Sequence, residues 1–580
     1  MKRFLSTLAL ILMAANLTAC DSNQQTEPQG QAAVAQKTAS LNNDAAITTA
    51  AAQVDEAGFM QHIKVLASDE YEGRAPSTPG GQKTVAYLET EFKKLGLKPA
   101  FGSGETASFR QPVELMQILV ENAPSLTFSY ADGELDVLPY KESSVVSTSR
   151  ISESSALENS ELVFVGYGVV APEYGWNDYA GVDMTGKTAV ILVNDPGFRN
   201  PDGELFKGRT MTYYGRWTYK YEEAARQGAA GAIIVHEDTA AGYPWEVVSG
   251  GWSGPQYNLF AQDGNKDNLA IESWVTQQAA ESLFAKSGQD YQHMVAAAGQ
   301  ASFSAVPLAA KASTSLQLSS QNSTSYNVGA VIEGRERPDE LFIYTAHWDH
   351  LGIKEGAEGA DLIYNGAQDN ATGTSGILEM AQAFMNLPEA PERSVMFLAV
   401  TAEESGLLGS KWYAGAPAFP MAKTVAGINV DGMSTAGETD DIVVVGFGNS
   451  EMDDYLRTVS AVQNRTLVPE HTPEKGYFYR SDHFNLAKKG VPMLYAEAGS
   501  KVRSKPEGYG GAQASRYVEE RYHKPADEVH AEWDNGGIMQ DLNAHFRIGV
   551  AIADSNDWPK WSAGNEFKSI REASQQAPAE

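Results

Sequence analysis

Of the 580 residues, one is cysteine, Cys20. An internal disulfide is therefore impossible, and so is any cysteine-built zinc site, which leaves His, Asp and Glu to hold a metal. Cations are scarce as well. The sequence has 44 Lys and Arg against 74 Asp and Glu, a formal net charge of -30. A surface of that sign repels phosphate backbones and disfavours nucleic acid as a partner. Long apolar runs are also missing. The most apolar stretch, residues 4–13, is too short for an ordinary membrane span.

What remains is an ordinary globular composition, 42% hydrophobic, 20% charged and 10% aromatic. It excludes wholesale disorder, collagen and a multi-span membrane protein. At roughly 150 residues per domain the length suggests about four units, or two larger ones.

Lys2 and Arg3 ahead of the apolar stretch, with small residues after it, read as a signal peptide over 1–19. Leu17-Thr18-Ala19-Cys20 resembles the bacterial lipobox, which implies a lipid anchor on Cys20. Several acyl chains, at about 0.8 kcal/mol per buried CH₂, hold a protein stably on a membrane. The expected location is the bacterial cell envelope, as a periplasmic lipoprotein or a secreted protein. Asp21 resembles an inner-membrane retention signal. Residues 20–53 are poor in large apolar side chains and read as a tether, and 561–580 as a flexible tail.

The ordered chain divides into three stretches. Residues 54–149 open with helical spacing through Met60, Ile63, Leu66 and again Val85, Leu88, Phe92, separated by Glu72-Gly73-Arg74 and a Pro/Gly turn. Residues 150–310 hold β-like runs at 162–165, 188–193 and 232–235 around a helix that begins near Tyr221. That order resembles the β-rich protease-associated domain, although any small α/β insertion has similar runs. The aromatic segment 213–219 fits a substrate wall or buried packing equally. In 311–560, continuous apolar strands at 341–345, 394–400, 427–430, 443–445 and 493–495 alternate with helices. This pattern predicts an α/β fold with a mostly parallel mixed sheet flanked by helices. Ligands in such sheets bind beyond the carboxyl ends of the strands.

Those ends carry metal-type residues. His347-Trp348-Asp349 closes the first strand, Glu403-Glu404 follows the second and Asn429-Val430-Asp431 the third. Asp369-Asn370 opens the helix near 377, and Ser481-Asp482-His483 and His523 come later. Each alone has a bland reading: a surface His beside an Asp, a helix cap, a solvated loop pair. Adjacent glutamates after a buried strand are costly unless something positive sits beside them. Together, several strand ends supply one rim with imidazole and carboxylate, a donor set that suits zinc.

This run of motifs resembles the co-catalytic zinc aminopeptidase family of bacteria, which also contains glutamate carboxypeptidase and the transferrin receptor. The resemblance covers about 55 to 555 and includes the Glu72-Gly73-Arg74 segment and the inserted module. It implies a zinc exopeptidase fold and two zinc ions. His347 and Asp431 would hold one, Glu404 and His523 the other, and Asp369 both. Glu403 would be the general base and Asp349 would orient His347. His483 would line the site from behind or touch substrate. The implied activity is removal of N-terminal residues from peptides. A carboxypeptidase or dipeptidase would need a cation for the substrate carboxylate, for which Arg480 and Arg503 are candidates. A glutaminyl cyclase and a non-catalytic receptor-like protein are the remaining readings. Oligomeric state is not legible in the sequence.

Overall fold

The computed structural model describes residues 44–200, 203, 205–354, 356 and 360–576. The leader, Cys20 and most of the tether lie outside the described residues. No described helix is long and apolar enough to cross a membrane.

Two hydrophobic cores share one strand. Val306–Ile332 runs for 27 residues, and its two halves have different patterns. In the first half, Leu308, Ala310, Ala312, Thr314, Leu316 and Leu318 are buried and their neighbours are not. Such period-two alternation belongs to a strand covered on one face. From Asn327 onward every residue is buried, as in a strand covered on both. The first half pairs with Leu126–Tyr130 and Ser154–Phe164, and the second with Arg393–Val400.

In the second sheet, Arg393–Val400 is parallel to Arg337–His347, that strand to Thr424–Asn429, and that one to Met493–Ala498. Asp441–Val444 then adds antiparallel. Side chains alternate between the faces. Phe342, Tyr344 and Ala346 join Phe59, Leu88, Leu378, Phe384 and Phe546, while Leu341 and Ile343 join Tyr413, Leu486 and Val491. The expected mostly parallel sheet flanked by helices is the observed one. Its first helices start at clear caps. Asp55 accepts from the Ala57 and Gly58 amides, and Thr78 from the Gly81 amide ahead of Pro79–Lys94.

The other core contains residues from Met116 to Leu318, a wider stretch than 150–310. Its edge was hidden because Arg110–Val120 is shared: it pairs with the long strand from Leu318 to Val328. The terminal expectations also need correction. Ala45–Ala51 is a helix that buries Ile47, Ala50 and Ala51, so the tether ends before 53. The presumed tail holds buried Trp561 and Phe567 and the helix Lys568–Gln576. Arg571, 4% exposed, donates to the carbonyls of Met421, Thr424 and Val425. The aromatic segment is packing: Tyr213 rests on Phe484 and Tyr479, and Met211 joins Phe478 and Trp561 across the seam between the cores.

Candidate metal centre

The parallel strands end in register, His347 beside Val400 and Thr345 beside Asn429. His347, the Glu403-Glu404 turn and Asp431 therefore meet at one edge. Ala402, at φ 55°, turns the chain sharply out of its strand. Asp369 comes from the loop before Thr372–Met385. That loop is clamped by Asp527, whose carboxylate accepts from the Gln368 and Asp369 amides, each at 3.0 Å. The clamp joins Asp369 to the segment that carries His523.

The donors form two groups that share one residue. His347 Nε2 lies 3.1 Å from Asp431 Oδ1 and 3.2 Å from Asp369 Oδ1. His523 Nε2 lies 3.1 Å from Glu404 Oε2 and 3.2 Å from Asp369 Oδ2. Each oxygen of Asp369 thus faces a different imidazole. The five residues expected as ligands all meet here. A tetrahedral ion with ligand bonds of roughly 2.0–2.1 Å sets its donors about 3.3 Å apart, so both groups fit zinc.

The electrostatics agree. Burial alone would lower the His347 pKa, but Asp431, Glu403 and the bonds to Asp369 and Asp431 raise it well above its ordinary value. His523 rises to about 10 against burial, through Asp369 and Glu404. Burial and Asp369 push Glu404 up, yet His350 and His523 bring it down to about 2. The two imidazoles hold protons amid carboxylates, as expected of a site whose charge balance calls for cations.

Glu403 stands apart. Its amide donates to Asp349 Oδ1 at 3.2 Å. Burial first, then Glu404, Asp431 and Asp482 against the pull of His347, lift its carboxyl well above the usual range. Asp349 does orient His347, but not through its carboxylate as expected. The contact is His347 Nδ1 to the Asp349 carbonyl oxygen at 3.1 Å, and the carboxylate serves the Glu403 turn. For His483 only one of the two expected places is open, behind the site. It is 0% exposed, wedged between Phe478 and Tyr495, so it cannot touch a substrate. Burial lowers its pKa to about 3. Its neighbour Ser481 makes the useful contact in that motif, donating to Asp431 Oδ2 at 2.6 Å.

Three site residues were missed in the sequence. His350 Nδ1 lies 2.6 Å from Glu404 Oε1, and with Asp369 these residues form a third set of metal-type donors. Tyr522 stacks on His523 with ring centroids 3.9 Å apart and feels the charges of Asp369, Glu404, Glu403 and Asp431. Asp527 is the loop clamp. The available signal was proximity, because each sits within four residues of a named histidine. Of the two arginines considered for a substrate carboxylate, Arg503 is committed to Glu438 and Asp440. Arg480 makes no ion pair among the described residues.

Known proteins resemble this chain over part of its length. An aminopeptidase of Bacillus subtilis, YwaD, is 26% identical over 211 residues, 36% of this chain and 40% of that protein. A probable zinc metalloprotease of Leptosphaeria maculans is 28% identical over 261 residues, 41% of this chain and 56% of that protein. The chain thus spans about half the length of these curated relatives. The solved aminopeptidase from Aneurinibacillus sp. strain AM-1 is 18% identical with a TM-score of 0.47, covering 87% of this chain and 95% of that one. Residues 327–547, which carry both donor groups and Glu403, match the sequence profile of peptidase family M28.

Proposed function

We propose that this chain is a zinc-dependent exopeptidase, an aminopeptidase that removes N-terminal residues from peptides. The observation that carries the reading is Asp369, whose two oxygens each face a separate imidazole–carboxylate pair with Glu403 beside them. His347 and Asp431 would hold one zinc, Glu404 and His523 the other, and Asp369 both. Bound there, a zinc pair supplies a Lewis acid for the scissile carbonyl and acidifies water. The protein's own part is proton handling and orientation. Glu403, fixed through its amide, would accept a proton and return it to the leaving amine. Ser481 and the Asp349 carbonyl hold Asp431 and His347 in the required orientations. The names of the relatives support the aminopeptidase polarity.

We read the second core as a protease-associated module, and Cys20 as a lipid anchor that places the protein in the cell envelope. Loss of labelled-palmitate incorporation in Cys20→Ala tests the anchor. The activity is tested with paired peptides, one with a free amine and an amidated end, the other with a blocked amine and a free carboxylate. Zinc-dependent, chelator-sensitive cleavage of the first alone is expected. Cleavage of the second alone would convert the assignment to a carboxypeptidase, and no cleavage with no bound metal would sink the enzyme reading.

A further inference from the structure

One imidazole at the donor cluster has no part in the five-ligand scheme. His350 is 1% exposed, and neither of its ring nitrogens has a hydrogen-bond partner among the described residues. A buried imidazole with both nitrogens unpaired is costly and calls for a ligand that takes one of them. The chain makes room for this ring. A Cβ on Gly366 would lie 2.5 Å from the His350 Cγ and 2.6 Å from its Cδ2, so a larger residue there would displace it. Arg74 fixes both neighbours, donating to the Gly366 carbonyl at 2.8 Å and accepting from the His350 amide at 3.4 Å.

The ring faces the donors. His350 Nδ1 lies 2.6 Å from Glu404 Oε1, and His350, Asp369 and Glu404 each offer a ligand atom within 4.8 Å of the others. The Nδ1–Oε1 contact is close but is not directed as a hydrogen bond, and both atoms stay unpaired. The orienting contacts at the other donor group differ: Ser481 to Asp431 and His347 to the Asp349 carbonyl are hydrogen bonds. Close donors that are not aimed at each other are arranged as ligands around a common ion. The ring centres of His350 and His523 lie 5.8 Å apart, at 67°. Two imidazoles on one zinc, with bonds of roughly 2.0–2.1 Å, bring their centres to about 5–6 Å.

We propose that His350 is a sixth protein ligand of the zinc pair, binding through Nδ1 the ion that Glu404 and His523 hold. The proposal rests on the two-zinc peptidase reading and makes its two sites unequal. One zinc has four protein donors, His350, His523, Glu404 and Asp369, and the other has three, His347, Asp431 and Asp369. Four donors fill a tetrahedral shell and three leave a position open. The Glu404 site therefore holds its zinc more tightly and fills first, and the open position stays on the His347 side. Donors on a tetrahedral ion lie about 3.3 Å apart, so the 2.6 Å contact must widen by about 0.7 Å. Rotation about the soft last torsion of Glu404 supplies that.

The test measures both zinc affinities of the full-length protein by chelator competition, in the wild type, His350→Ala and His350→Asn. The Asn amide nitrogen can still donate a hydrogen bond to Glu404 but has no lone pair for zinc, and its oxygen is a poor zinc ligand. Both variants are expected to lose roughly 10²–10³ in the tighter affinity, beyond the 10–100-fold of a residue that only orients a ligand, with the weaker affinity little changed. An Asn variant within about threefold of wild type, or an Ala variant unaltered at both sites, overturns the proposal and leaves the two-zinc peptidase standing. Should the variants not fold, a crystal structure of the zinc-loaded wild type decides. His350 Nδ1 at about 2.0–2.1 Å from the zinc on Glu404 supports the assignment, and a separation above about 3 Å refutes it. If the wild type binds no zinc, the peptidase reading fails and the sixth ligand with it.

Discussion

Substituting Arg74 with methionine would test how the scaffold of the donor cluster is held. The guanidinium is 1% exposed and donates to four carbonyls: Trp348 at 2.9 Å, Leu66 at 2.7 Å, Asn365 at 2.5 Å and Gly366 at 2.8 Å. Trp348 lies between His347 and Asp349, and Gly366 sits just before the Asp369 loop. One side chain therefore ties the opening helix to both ligand-bearing segments. Burial lowers its pKa to about 10 against the fields of Asp527, Asp349, Asp369 and Glu404, so it is charged at neutral pH. Methionine keeps much of the volume and removes every donor. Each buried acceptor left unpaired costs about 1–3 kcal/mol, or ~4–12 for four. Relaxation and water entry offset part of this, leaving about 3–5 kcal/mol, the scale for a broken buried charge contact. At roughly 2–4 °C per kcal/mol for a unit of this size, the thermal midpoint should fall by about 6–20 °C. Tryptophan-fluorescence melts measure the fall, and chelator competition measures the accompanying loss of zinc affinity. A midpoint within about 3 °C of wild type, or a destabilised variant with unaltered zinc affinity, would refute the argument.

Three further outcomes are expected. Glu403→Gln should keep its zinc and lose roughly 10²–10⁴ in kcat, and near-normal turnover would remove Glu403 from proton transfer. Asp527→Asn presents an amide N–H to a backbone N–H that now has an acceptor, so zinc affinity measured by chelator competition should drop roughly 10–100-fold; an unchanged affinity would show that the loop holds without its clamp. His523, with a pKa raised to about 10, is protonated at neutral pH. Zinc must displace that proton, so binding should release protons and weaken as pH falls from 8 to 6. Titration calorimetry in two buffers of different ionisation enthalpy checks this, and proton-neutral binding would contradict it.

The sheet was legible because its strands are buried on both faces. Continuous apolar runs such as 394–400 admit few other readings, and ligand placement follows once their ends are in register. The shared strand was harder. Its first half alternates with small residues, Ala310, Ala312 and Thr314, which carry a weak hydrophobic signal. Ala45–Ala51 and Lys568–Gln576 were invisible for a similar reason: their burial comes from alanines and from the stem of Arg571. Within the site, ligand types could be read but second contacts could not. Whether Asp349 offers a carbonyl or a carboxylate to His347 depends on the turn after the strand. That His350 reaches Glu404 depends on two chain segments more than fifty residues apart. For His483 the sequence left two places open, and burial between Phe478 and Tyr495 leaves the one behind the site.

The shared strand also sets an order of events in time. Lys98 pairs with Val331 and Arg110 with Val328, so the segment ahead of the second core cannot complete its sheet until the chain beyond that core exists. At ribosomal rates the interval is roughly 10–40 s. During it, Phe59, Ile63, Leu88 and Phe92, all 0% exposed in the finished protein, have no sheet to cover. The inserted segment draws most of its core from its own neighbourhood in sequence, so it can close first. The nascent chain thus carries a sticky pair of helices ahead of a second core that can close on its own, and the donor cluster is completed only when His523 arrives.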